Sequence, residues 1–198
     1  MTARIAVLVS GGGRSLENLA GVITRGELDG TIAVVLSSTP QAHALQRARR
    51  LGIPAVVLDP ERRLSPPELA RDAFAAIESF ECDVAVMAGF LRLLPVPERW
   101  RGRVLNIHPA LLPRFGGKGF YGDRVHEAVL ASGEKETGCT VHYVDDQYDH
   151  GPVILQRRIP VRPDDTVETL AARVFEEEKL ALPEALRRHF DSRRPLPS

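Results

Sequence analysis

Apolar residues along the chain follow two rhythms. Arg4–Val9 and Thr31–Leu36 are short continuous runs rich in β-branched residues, as in buried strands. Between them Leu16, Leu19 and Ile23 recur at three- and four-residue steps with Val22 beside them, as on one helix face. Ala42–Leu51 reads as a helix closing at Gly52, and Ala55–Leu58 as a third, short strand. Ser65 can cap the next helix, whose first turn tolerates the prolines and whose stripe is Leu69, Ala73, Ile77 and Phe80. Asp83–Ala88 and Val104–Ile107 are strands four and five, and 123–131 is a helix with Val125, Ala128 and Val129 inward. Thr140–Val144 and Val153–Leu155 are further strands, the last running into RRIPV, where Pro160 marks an edge or an end. The periodic stretch 166–190 contains Pro183, which predicts two helices or one kinked helix, and the tail DSRRPLPS is expected to be loose.

Alternating strands and helices predict parallel strands joined by right-handed crossovers. The expected fold is α/β: a Rossmann-like, doubly wound, mostly parallel sheet with helices on both faces and later strands partly antiparallel. No repeat or linker divides residues 1–198, so one domain is expected. Lys+Arg and Asp+Glu number 26 each, a balance that argues against a nucleic-acid-holding role but leaves room for a local phosphate site. The N-terminus lacks the length and flanks of a signal peptide, and no run approaches the ~20 apolar residues of a membrane span. A cytoplasmic enzyme acting on small molecules, with no membrane partner, is the expectation. Cys82 and Cys139 read as small buried hydrophobes. Cys139 and His142 have metal-like spacing, but on a strand they point to opposite faces, and no metal is expected.

Residues 10–19, SGGGRSLENL, follow the first strand and open a helix. In such folds ligands bind beyond the carboxyl ends of the strands. Gly11, Gly12 and Gly13 let the backbone approach an anion, the helix dipole favours negative charge, and Arg14 and Ser15 add a cation and a hydroxyl. A phosphate is the expected guest. A dinucleotide site is disfavoured: Leu16 stands at the third glycine position, and Ser37-Ser38-Thr39 ends the second strand without an acid for a ribose.

Residues 104–113, VLNIHPALLP, interrupt a buried strand with Asn106 and His108. Positions i and i+2 share a strand face, so the carboxamide and imidazole project together at the carboxyl end. The first can donate to a developing oxyanion and the second can carry a proton, as acyl transfer requires. An acid to orient the imidazole is available in residues 138–155, where Asp145, Asp146 and Asp149 crowd one loop; spacing does not choose among them, and His142 reads as structural.

LNIHPALLP followed by GCTVHYVDDQYDHGPVILQ, with SGGGRSLENL and AGFLRLL at 88–94, resembles the formyltransferases that use 10-formyltetrahydrofolate, and within them the branch acting on glycinamide ribonucleotide in purine synthesis. The resemblance runs from residue 4 to about residue 190. It implies 10-formyltetrahydrofolate as formyl donor, Asn106 polarising the formyl oxygen, His108 carrying the proton, and Asp146 as the acid tuning His108. It further implies that Gly11–Ser15 bind the ribonucleotide's phosphate, Glu178 its glycinamide end, and Leu91, Arg92, Leu93 and Leu94, with Asn106, the folate. Arg14-Ser15 departs from the Ser/Thr-Asn usual there, the 115–122 turn is longer than in many members, His126 is the candidate for a second histidine, and Arg63 for a folate-side arginine. A tRNA-facing domain after the catalytic one, or a regulatory domain before it, would mark other branches; neither is expected in this chain.

Overall fold

The computed structural model describes residues 2–59, 61 and 63–192. Strands β1 (Ala3–Val9), β2 (Gly30–Ser37), β3 (Ala55–Val57), β4 (Val84–Met87), β5 (Val104–His108), β6 (Glu136–Tyr143) and β7 (Val153–Pro160) form one sheet in the order β3-β2-β1-β4-β5-β6-β7. β1 to β5 pair in parallel, and β5–β6 and β6–β7 pair antiparallel. Helices α1 (Arg14–Thr24), α2 (His43–Arg50), α3 (Pro66–Ser79), α4 (Asp123–Ala131) and α5 (Val167–Ser192) supply the flanking layers.

The pleat of β1 divides the core. Ile5, Val7 and Val9 face one side, packed with Leu16 and Leu19 of α1, Ala44 and Ala48 of α2, Val129 of α4 and Leu170, Val174 and Leu186 of α5. Ala6 and Leu8 face the other, packed with Leu69, Phe74 and Ile77 of α3 and with Trp100. The doubly wound expectation therefore holds. Ser65 caps α3 as expected, sharing a reciprocal capping box with Glu68. Among the described residues, no helix is long and apolar enough to cross a membrane.

Two strands run longer than expected. β6 begins at Glu136, before Thr140, because Gly138 hides the strand pattern: a Cβ there would stand 1.8 Å from the Arg157 carbonyl oxygen, so glycine is what lets β7 come close. β7 likewise runs on to Pro160, where the proline ends the edge strand. Of the two readings left open for 166–190, the structure gives one helix, α5, continuing through Pro183. Proline cannot donate to the carbonyl four residues back. That carbonyl, Lys179 O, instead accepts from Asn18 Nδ2 at 3.0 Å, which ties α1 to α5. The expected loose tail falls largely on residues 193–198, outside the described residues.

Asn18→Ala is expected to cost about 1 kcal/mol of stability in thermal or denaturant unfolding, because it leaves Lys179 O without a partner. In a Pro183→Ala background, where residue 183 regains an N–H for that carbonyl, the same change costs much less. An equal cost in both backgrounds would contradict the assignment.

Candidate active site

With β1 central and β4 beside it, the chain reverses its winding direction between these strands, where a crevice opens at their carboxyl ends. The loops following them are bonded together: Ser10 N donates to Gly89 O at 2.9 Å and Leu91 N to Ser10 Oγ at 2.9 Å. A cleft of about 660 Å³ opens there, lined among others by Gly11–Ser15, Leu91, Asn106, His108, the 117–124 segment, His126, Asp149 and Glu178. A recess of about 40 Å³ adjoins it, lined by Arg92, Leu93, Leu94 and His142 among others, and shares Phe90, Asn106, Tyr148 and Asp149 with the cleft.

Antiparallel register explains the floor of the cleft. Asn106 is paired with His142 and His108 with Thr140, so these four side chains share one face. His142 Nδ1 donates to the Tyr143 carbonyl at 2.8 Å, which leaves Nε2 bare to accept from Asn106 Nδ2 at 3.1 Å. His142 is thus part of the site, not only of the strand; the register that brings it opposite Asn106 is not written in either segment alone. Thr140 Oγ1 accepts from Leu112 N at 3.0 Å and donates to Ala110 O at 2.7 Å, which fixes the turn behind His108. His108 is buried, and its Nε2 donates to Phe115 O at 2.7 Å, so Nδ1 is its free acceptor.

The three aspartates part company. Asp145 accepts from Gln147 N and from His150 Nδ1 and so braces its own turn. Asp146 faces outward, its side chain 58% exposed, accepting from Val96 N at 3.2 Å and paired with Arg101. It lines neither the cleft nor the recess. The acid beside His108 is Asp149: its Oδ1 lies 3.5 Å from His108 Nδ1 and accepts from Asn106 Nδ2 at 3.2 Å, while Oδ2 accepts from Gly117 N at 2.9 Å. The expectation of Asp146 is corrected on this geometry. Distance from Val-His-Tyr-Val does not encode the reversal by which Asp149, itself at φ 52°, turns inward. Burial would push the Asp149 carboxyl up, but the adjacent His142 and His108 rings and the Gly117 amide outweigh it and hold it below the usual range. Burial pulls His108 below the ordinary histidine value, against the charge of Asp149 and the Phe115 carbonyl.

At the other end of the cleft α1 starts with no side-chain cap on its first amides. Gly13 adopts φ 76°, and a Cβ there would stand 2.6 Å from Ala44 Cβ, so glycine is required where the loop crosses α2. The Arg14 guanidinium stacks on Phe175 of α5 at 4.1 Å. Glu178, half-buried one turn further on, has its carboxyl pushed up to about 7 by burial, with Arg14 opposing. Two other expectations meet their outcome at this site. Arg63 does not reach the cleft; its guanidinium pairs with Glu61 on the surface. Arg92 lines the recess but is tied by its guanidinium to buried Asp59 at 2.9 Å and to Leu64 O at 2.6 Å. Among the described residues no three His, Cys, Asp or Glu side chains are grouped to hold a metal ion.

The doubly wound sheet thus brings a glycine loop at a helix start and a carboxamide–imidazole–carboxylate cluster into one cleft. Residues 3–186 match the Formyl transferase family, and the chain belongs to it. It is 42% identical over 178 residues to the chloroplastic phosphoribosylglycinamide formyltransferase of Vigna unguiculata, covering 88% of this chain and 57% of that protein. It is 36% identical over 181 residues to the phosphoribosylglycinamide formyltransferase of Escherichia coli K12, covering 90% of this chain and 83% of that one. The crystal structure of glycinamide ribonucleotide transformylase 1 from Symbiobacterium toebii superposes with a TM-score of 0.88 at 36% identity, covering 100% of this chain and 92% of that one.

The raised Glu178 carboxyl sets a sign for pH dependence. The unfolded chain releases that proton near 4.5 and the folded protein near 7, so the folded state binds more protons between these values and loses stability as pH rises through them. Glu178→Gln removes that loss. Its melting temperature relative to the parent is expected to climb between pH 5 and pH 8, by roughly 2–4 °C per kcal/mol; a flat difference would contradict the assignment.

Proposed function

We propose that this protein transfers the formyl group of 10-formyltetrahydrofolate to the primary amine of glycinamide ribonucleotide, as a single catalytic domain acting in the cytoplasm. One observation carries the reading: the anion loop, the Asn106–His108–Asp149 cluster and the recess beside Leu93 and Leu94 all open into adjoining space. The names of the Vigna unguiculata and Escherichia coli relatives support it. In this reading the free amides of α1, Gly11–Gly13, Arg14 and Ser15 hold the ribonucleotide's phosphate. Glu178 meets its glycinamide end. The backbone of Leu91–Leu94 receives the ring of the donor, which brings no metal or redox chemistry of its own.

The residues then divide the work. The substrate amine attacks the formyl carbon, negative charge grows on the formyl oxygen, and the bond to N10 of the folate breaks. Asn106 donates to that oxygen; its two amide hydrogens are held by Asp149 and His142, so it gives up one of these bonds to do so. His108 takes the amine's proton at Nδ1, where Asp149 stabilises the imidazolium, and returns a proton to N10. Its Nε2–H stays on the Phe115 carbonyl, which keeps the ring aimed. Holding both reactants in one cleft supplies a further part of the rate.

In an assay of tetrahydrofolate release, turnover is expected with 10-formyltetrahydrofolate and glycinamide ribonucleotide, and not with water alone or charged initiator tRNA. Release in water alone would contradict the proposed acceptor. Under the same conditions Asp149→Asn and His108→Ala are expected to lose about 100-fold or more in kcat. Asp146→Asn stays within about twofold, as for an exposed side chain away from the chemistry. The reverse order for the two aspartates would overturn their assigned roles.

A further inference from the structure

The stretch Leu91–Leu94 follows β4 and belongs to no strand or helix, yet it walls the recess and part of the cleft. No sheet ladder fixes it. Burial of Phe90 and Leu94 ties it to the core, but apolar packing is non-directional, so polar contacts set how the backbone is turned. Leu91 N donates to Ser10 Oγ at 2.9 Å. At the next residue the side chain reaches away to a different element: Arg92 Nη1 donates to Asp59 Oδ2 at 2.9 Å, and Nη2 to Leu64 O at 2.6 Å.

Asp59 lies two residues beyond β3, at the carboxyl end of the sheet that carries the cleft. It is 2% exposed and lines neither the cleft nor the recess, and the chemistry above makes no use of it. Its Oδ1 accepts from Arg63 N at 2.9 Å, and Oδ2 accepts from Leu64 N at 3.1 Å as well as from Arg92. The carboxylate therefore closes its own turn and, with the Leu64 carbonyl, offers the guanidinium two acceptors held in fixed relation. Burial pushes the Asp59 carboxyl up, but Arg92 and the two amides outweigh it and hold it below the usual range. An enclosed ion pair is a weak source of stability, which apolar side chains could supply as well. What a planar fork on two acceptors supplies is direction.

We propose that Asp59 is a positioning residue for the formyl donor: by holding the Arg92 guanidinium in the 59–64 turn, it fixes the Leu91–Leu94 backbone in the orientation that receives the donor's ring. The inference rests on the proposed function for the identity of the donor and its place along this stretch. A stretch already ordered does not pay for ordering when the donor binds, and that saving appears as affinity. Among the described residues neither Asp59 nor the Arg92 side chain bonds to the glycine loop, Arg14 or Glu178. The effect therefore falls on one ligand of the two.

The test uses titration calorimetry of 10-formyltetrahydrofolate and of glycinamide ribonucleotide, each alone, with steady-state kinetics. Asp59→Asn is expected to weaken donor binding and raise the donor's KM about tenfold, with kcat at saturating donor and the ribonucleotide's affinity changed less than about twofold. The double variant Asp59→Asn/Arg92→Gln removes both charges together and leaves neither unpaired, so it reports even where a single variant folds poorly. It is expected to lose donor affinity by the same factor as either single variant, because the two side chains act through one contact. Losses that multiply in the double variant would mean that Arg92 meets the donor by itself, and would overturn the inference. So would donor affinity equal to the parent's, or equal losses for both ligands, in a parent that turns over; the proposed function would stand in each case. A parent that neither binds the donor nor formylates the ribonucleotide would remove both.

Discussion

The Asp149 carboxylate gathers the cleft around itself. One oxygen accepts from Asn106 and faces the rings of His108 and His142, and the other accepts from the Gly117 amide. It thereby joins β5, β6, the segment before α4 and the turn before β7. The Asn106 and Gly117 donors hold this largely buried charge. Without it, Asn106 loses a partner, His108 loses the counter-charge for its protonated form, and the loop at Gly117 loses its anchor.

The surrounding structure is arranged to hold that carboxylate. Antiparallel pairing puts Asn106 opposite His142 and His108 opposite Thr140, so strand register sets the spacing of the polar groups. Thr140, with Gln156 of β7 at 3.0 Å, fixes the Pro109–Pro113 turn from behind. Two non-glycine residues at the site, Phe115 at φ 56° and Asp149 at φ 52°, sit in the left-handed region. Each makes a contact to the cluster: the Phe115 carbonyl takes the Nε2–H of His108, and Asp149 takes the amide of Asn106. Local backbone strain is thus spent where the polar groups converge. The crevice between β1 and β4 then sets the glycine loop before α1 beside this cluster, with α5 closing the far side through Phe175 and Glu178.

Much of this was legible in the residues. Apolar runs marked β1 to β5 and the helices between them, and the glycine loop, Asn106 and His108 all line the cleft where the strand–helix alternation put them. What escaped were features set by contacts distant in sequence. The strand expected from Thr140 starts earlier, across Gly138, whose fit shows only once Arg157 is seen against it. Pro183 leaves one helix or two open until Asn18 is seen to partner the carbonyl it frees. His142 reads as a core histidine because β5–β6 register is not visible in one dimension. The aspartates at 145, 146 and 149 look interchangeable by spacing; only the path of their turn sends one inward and one toward Arg101.

The most direct test is a nitrogen-15 NMR titration of the histidine rings in the parent protein, Asp149→Asn and Asp146→Asn. In the parent, His108 titrates below the ordinary histidine value, with Asp149 supporting its charged form. The account predicts that Asp149→Asn drives that value lower still, while Asp146→Asn leaves it in place. A His108 titration that ignores position 149, or that moves with position 146, would contradict the account.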